Sequence, residues 1–309
     1  MQKYFFYLIC FGFMHLACTS QKPVVDDSST GSDEVVDESE NSLLWRISGN
    51  GLEVPSYLFG TIHIINAEDF FLPYGTLSAI DQSDKMVFEI DMAEMNDPLK
   101  LMPLLQKAFM KGDTTLSDLM SEEDYALVND HFKKIGLPIF LLERIKPMFL
   151  TVFASGDFDP SDLQNGKIKS YEMEFAKIAE DGKKETGGLE TVEFQISVFD
   201  DIPYKEQAAM LVEGIKSGGT EDEMFQELID LYKNQDVEGL YNMMKQDESI
   251  MDYEDALLTK RNQNWIPIMK EMMKLKTTFF AVGAGHLGGP FGVIKLLRDA
   301  GYEVSPYST

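Results

Sequence analysis

Hydrophobic and polar positions follow more than one period along the chain, and each period predicts a different element. The apolar runs Leu43–Ile47 and Ser56–Ile62 flank Gly49-Asn50-Gly51. Those turn residues tolerate left-handed backbone, so the two runs predict an antiparallel hairpin. TLSAIDQSD (76–84) has helical spacing and KMVFEIDM (85–92) is again a short apolar run, which predicts helix and then strand. From about residue 93 to 273 the pattern is helical, in segments opening at Asp97, Ser121, Ser170, Thr191, Pro203, Thr220 and Val237 and broken by Gly, Pro or Asp. TTFFAVGAGH, PFGVIKLLRDAG and YEVSPY then return to strand, helix, strand. The fold class that follows is α/β (α+β): a mixed central sheet built from N- and C-terminal segments, with a large helical insertion at about residues 93–273.

The first 42 residues read differently. Residues 1–18, MQKYFFYLICFGFMHLAC, carry one charge, Lys3, and an apolar stretch too short to span a bilayer, as a secretory signal peptide does. Residues 19–42 have no apolar period, are rich in Ser and acid, and are expected to form a disordered acidic tether. An apolar stretch, Leu16-Ala17-Cys18 and a polar leash together resemble a bacterial lipoprotein, so Cys18 is the expected lipidation site. Simple secretion is the alternative. The other cysteine, Cys10, lies inside the signal, which excludes an intrachain disulfide, a cysteine nucleophile or a zinc–thiolate site from the mature chain. A single domain is expected over residues 43–309.

Composition narrows the function. A net charge of −25 argues against nucleic acid, whose phosphates need clustered Lys and Arg. Most of that charge lies beyond the tether, which holds only seven acids and one lysine, and reads as a solvated surface. Many of the 18 methionines fall at helical spacing inside the insertion, where they read as core filler.

Only four histidines occur, and two of them share a setting: Gly60-Thr61-Ile62-His63 and Gly283-Ala284-Gly285-His286 each follow a predicted buried strand. In open α/β sheets functional groups gather at the carboxyl ends of strands, where glycines are expected to let the backbone turn sharply. Two imidazoles and a carboxylate suit a divalent metal that activates water. Glu89 is the leading carboxylate because it interrupts an apolar run, and Asp91 falls on the same side of an extended strand. Glu190, after two glycines at an expected helix start, is a further candidate. Arg261 and Asn262, just before Trp265, are expected to orient a substrate carbonyl or carboxylate. His131 is expected on a helix surface, and His15 is lost with the signal.

Taken together, LLWRISGNGLEVPSYLFGTIHI, VFEIDM, GLETVEFQ, LTKRNQNWIP and FFAVGAGHLGGPFGVIKLLRDAGYEV resemble the TraB/PrgY/GumN family in its bacterial lipoprotein branch, from about Leu43 to Val304. The resemblance extends to the Tiki proteins, which are membrane-anchored metalloproteases, and more distantly to erythromycin esterases and haem-binding ChaN proteins. It implies a Tiki/erythromycin-esterase-like fold and an envelope-anchored, metal-dependent hydrolase acting on a peptide or protein. It further implies His63, His286 and Glu89 at a metal site, with Mn, Co or Zn the expected ion, and Glu190 and Arg261, read from their sequence setting, are expected beside them in the catalytic set. No C-terminal membrane anchor is visible, so tethering to the bacterial envelope is expected to fall to lipid on Cys18. The competing expectation is a binding lipoprotein that sequesters a peptide signal or haem without chemistry.

Overall fold

The computed structural model describes residues 41–92, 106–154, 165–217, 223–246 and 253–308. The signal peptide, Cys10, His15, Cys18, nearly all of the tether and most of the first segment of the insertion lie outside the described residues. The strands are β1 Leu44–Ser48, β2 Ser56–Thr61, β3 Ile65–Asn66, β4 Lys85–Ile90, β5 Ile168–Lys169, β6 Glu185–Glu190, β7 Thr278–Gly283 and β8 Glu303–Pro306. The helices are α1 Thr76–Gln82, α2 Glu122–Lys134, α3 Pro147–Leu150, α4 Tyr171–Asp181, α5 Val192–Val198, α6 Tyr204–Ser217, α7 Glu223–Lys233, α8 Val237–Lys245, α9 Lys260–Leu275 and α10 Val293–Asp299.

Six strands form one mixed sheet in the order β6-β4-β7-β2-β1-β8, and β3 pairs with β5 in a small ribbon. β6, β4, β7 and β2 run parallel, while β1 returns antiparallel to β2 through the expected Gly49-Asn50-Gly51 turn, whose three residues all have positive φ. Every residue of β2 is buried, and so is every residue of β7 except Gly283. That is the pattern of central parallel strands covered on both faces. Phe59 on one face of β2 meets Phe175 of α4 edge to face at 5.0 Å, and Trp265 and Met269 of α9 belong to the same core. Helix starts follow side-chain capping: Ser121, Ser170, Thr191 and Asp236 each accept a backbone N–H from the first turn of α2, α4, α5 and α8.

Three expectations are corrected. The sheet does not come from the chain ends alone, because ETGGLE inside the insertion is a strand, β6, at the sheet edge beside β4. Glu190 therefore ends a strand instead of starting a helix. The two glycines hid it, since they bring no β-forming side chain. Gly188 is required there, because a Cβ would stand 2.6 Å from the backbone nitrogen of Asp91. His131 is buried on α2, where Nε2 meets the Phe153 carbonyl, so it is an interior group and not a surface one.

The glycines that open the two histidine motifs serve close approach, not a sharp turn. Gly60 and Gly283 both keep negative or ordinary backbone angles; neither appears among the positive-φ glycines. A Cβ on Gly60 would lie 3.1 Å from Ala284 Cβ and 3.2 Å from Ala284 Cα, so its absence lets the turn carrying His286 settle onto β2. Gly60→Ala is expected to cost about 1–3 kcal/mol by overpacking. Urea unfolding of the variant at wild-type stability would contradict that close-approach role.

Candidate active site

The parallel strands deliver their carboxyl ends to one edge, where Thr61 pairs with Gly283 and Ile90 with Glu190. His63 and His286 follow β2 and β7, and they line one pocket with Glu89 and Arg261. The pocket holds about 910 Å³ including its open mouth, with a polar floor beneath walls that are mostly apolar.

Arg261, near the start of α9 and 6% exposed, organises the floor. Its Nη2 donates to Glu89 Oε2 at 2.6 Å and to Glu190 Oε1, and its Nε donates to both Glu190 oxygens at 3.1 and 3.2 Å. Gln195 Nε2 bridges the two carboxylates at 3.1 Å each, Trp265 Nε1 donates to Glu190 Oε2 at 3.0 Å, and the Gly283 amide donates to Glu89 Oε1 at 2.9 Å. Burial works hardest against an ionised Glu89, but Arg261, His286, His63 and the Gly283 amide together outweigh it and hold the carboxyl well below the usual range. At Glu190 burial is stronger than the pull of Arg261 and pushes its pKa up.

A π-helical turn over Asp255–Thr259 leads directly into α9. Leu257 and Leu258 of this turn line the pocket with Arg261, and the Leu257 carbonyl accepts from Arg261 Nη1 at 3.1 Å.

The two histidines are fixed from behind. Asn262 Nδ2 donates to the carbonyls of His286 and Phe291 at 3.3 and 2.9 Å, which turns its Oδ1 toward His286 Nδ1 at 2.6 Å. His286 Nδ1 therefore carries the proton, and Nε2 accepts from Arg261 Nη1 at 3.1 Å. Burial first, then Arg261, lowers the pKa of His286 to about 3, so the ring is neutral. His63 Nδ1 lies 2.9 Å from Glu172 Oε1, and that carboxylate also accepts from Thr61 Oγ1 at 2.6 Å and from Ser170 Oγ at 3.0 Å. Burial works against a charged His63, yet Glu172 and Glu89 together overcome it and the net shift is upward.

Sequence reasoning missed Glu172, a first-turn acid of α4 that carries no motif. It also missed Gln195. Asp91 does not join the floor; it accepts from Thr186 Oγ1 at 3.0 Å. Arg261 is committed to two carboxylates, so it orients protein groups before any substrate.

The profile of the TraB/PrgY/gumN family matches residues 43–306. The chain belongs to that family. Similar curated proteins are Metalloprotease TIKI1 of Danio rerio, 25% identical over 316 residues, 85% of this chain and 63% of that protein, and Metalloprotease TIKI2 of Danio rerio, 23% identical, covering 90% and 63%. Metalloprotease TIKI1 of Homo sapiens is 24% identical, covering 85% and 61%. The chain thus spans about three fifths of the length of these relatives, and no solved structure matches it. For this TraB/PrgY/gumN member, no helix among the described residues is long and apolar enough to cross a membrane.

Arg261→Ala is expected to destabilise the fold by about 3–5 kcal/mol, because it strands two buried carboxylates. Adding Glu89→Gln and Glu190→Gln to that variant is expected to restore much of the loss in thermal unfolding. A single variant as stable as wild type would show that the charges are not coupled through Arg261.

Proposed function

We propose that the chain is a metal-dependent hydrolase, a peptidase in the manner its relatives' names describe. The observation that carries this reading is the space above Gly283. A Cβ there would lie 3.3 Å from Glu89 Oε1, 3.6 Å from His286 Cδ2 and 4.0 Å from His63 Nε2, so a carboxylate and two imidazoles face one small cradle that the glycine keeps open.

The donor set fits a divalent ion chemically. Each imidazole has Nδ1 engaged by an oxygen, the outer-shell arrangement that presents Nε2 as ligand atom. Glu89 Oε1 and His286 Nε2 stand 3.8 Å apart, within the roughly 3–4 Å that two ligands of one ion span. Among the described residues no three such side chains already stand in metal-holding geometry. Arg261 and Gly283 hold Glu89, and Arg261 also holds His286 Nε2, so loading requires Arg261 to release that nitrogen. His63, Glu89 and His286 would hold Mn, Co or Zn, which would polarise a carbonyl and acidify water when bound. His63, backed by Glu172, presents Nε2 as one of those ligand atoms. Arg261 and Gln195 keep Glu89 ionised and oriented.

The test is mass spectrometry of a peptide mixture incubated with the protein and Mn²⁺, Co²⁺ or Zn²⁺, with and without chelator. New termini are expected from the wild type only when metal is present. His63→Ala, Glu89→Ala and His286→Ala are each expected to lose at least about 100-fold in kcat/KM, as removal of groups that act in the transition state does. Gly283→Ala, which fills the cradle, is expected to lose activity while staying folded. Equal cleavage by wild type and the histidine variants would sink the assignment, and no cleavage under any metal would favour a binding protein.

We also propose attachment to the bacterial envelope through lipid on Cys18, supported by the signal-like residues 1–18 and the acidic stretch after them. Radiolabelled palmitate is expected to enter the wild type and not Cys18→Ser. An unlabelled wild type would make the chain merely secreted.

A further inference from the structure

The pocket walls say what kind of group enters above the charged floor. Leu228 of α7, Leu240 and Met244 of α8, Val198 of α5, and Leu257 and Leu258 of the π-helical turn converge from four elements. Among the described residues every formal charge in the lining belongs to the floor, where Glu89 and Arg261 already neutralise one another, and no Lys or Asp stands on the walls. A charged side chain entering there would lose water without gaining a counter-ion, whereas an apolar one would gain contacts.

Met244 marks the adjustable part of this wall. It is only half-buried, and its Sδ and Cε lie over Gly285, where an added Cβ would come within 2.8 and 2.6 Å of them. Gly285 therefore lets a flexible thioether lie between the His286 turn and the pocket, the adaptable apolar surface that Met provides best. The π-helical turn and the start of α9 add Leu257 and Leu258 to this wall beside Arg261.

We infer that this pocket selects peptides by a large apolar side chain, of the Leu, Met or Phe kind, next to the bond brought to the floor, and that Met244 is a specificity-determining residue. The inference rests on the hydrolase reading for the word bond, but the selectivity itself is a property of the walls.

The test uses the full-length chain with acetyl-Gly-Gly-Xaa-Gly-Gly-amide peptides, Xaa being Leu, Met, Phe, Asp or Lys. Cleavage is followed with Mn²⁺, Co²⁺ or Zn²⁺, and binding is followed separately by calorimetry with chelator present. Wild type is expected to favour Leu, Met and Phe over Asp and Lys by at least about tenfold in kcat/KM and in affinity, the size of effect an apolar pocket gives. Met244→Lys is expected to raise the Asp peptide relative to Leu, and Met244→Glu the Lys peptide, by about tenfold each. Folding damage would lower all five peptides together and cannot produce those opposite shifts. Flat wild-type preference, or ratios that neither variant moves, overturns the inference. Selective binding without cleavage supports it and overturns the hydrolase reading, while cleavage without selectivity does the reverse. Neither binding nor cleavage overturns both.

Discussion

The parallel pairing of β2 with β7 is the constraint on which the site depends. It joins Tyr57–Thr61 to Phe279–Gly283, segments separated by more than two hundred residues, at the centre of the sheet. The entropy of closing so long a loop grows only slowly with its length, but it must be met before the contacts form. The apolar faces of the two strands supply the compensation, and they also set the register. A slip of one residue would turn Phe59 away from α4 and Gly60 away from the Ala284 turn at the same time. The same register that buries the core therefore delivers both histidines to one edge.

A second constraint sits on that edge. Three charged side chains, Glu89, Arg261 and Glu190, are buried together, and such clusters are rarely the best way to stabilise a fold. Here their donors and acceptors are matched by Gln195, Trp265 and the Gly283 amide, so desolvation is offset by directed bonds. The planar fork of arginine reaches both carboxylates and the Leu257 carbonyl at once, which a lysine's point charge does not reproduce. The result is a floor whose charges are positioned by protein groups.

Much of this was legible in the sequence because periodicity reports burial. β1, β2, β4, β7, β8 and most helices follow from apolar spacing and turn residues. Glu89 stood out because an acid within an apolar run needs a partner, and Arg261 with Asn262 because they adjoin a tryptophan. β6 was not legible, since Gly188 is in a strand for reasons of clearance that no propensity records. Glu172 was hidden for another reason. A glutamate in the first turn of a helix is ordinary on dipole grounds alone, and only tertiary contact brings it to Thr61 and His63. The π-helical turn before α9 was equally silent, because DALLT reads as plain helix.

The repeated glycine–histidine spacing suggests two equivalent groups, yet the partners behind the rings make them different. Glu172 faces His63 with a carboxylate, which gains energy when that ring becomes imidazolium. Asn262 faces His286 with a neutral amide oxygen, which accepts the Nδ1 proton of a neutral ring without rewarding a second proton, and Arg261 opposes charge at its Nε2. Burial lowers the basicity of both rings; at His63 Glu172 and Glu89 reverse the shift to upward, while at His286 Arg261 adds to burial and the shift is downward. Two identical spellings in the sequence thus meet two different partners, a carboxylate behind His63 and a neutral amide behind His286. The fold obtains that division from one residue on α4 and one on α9.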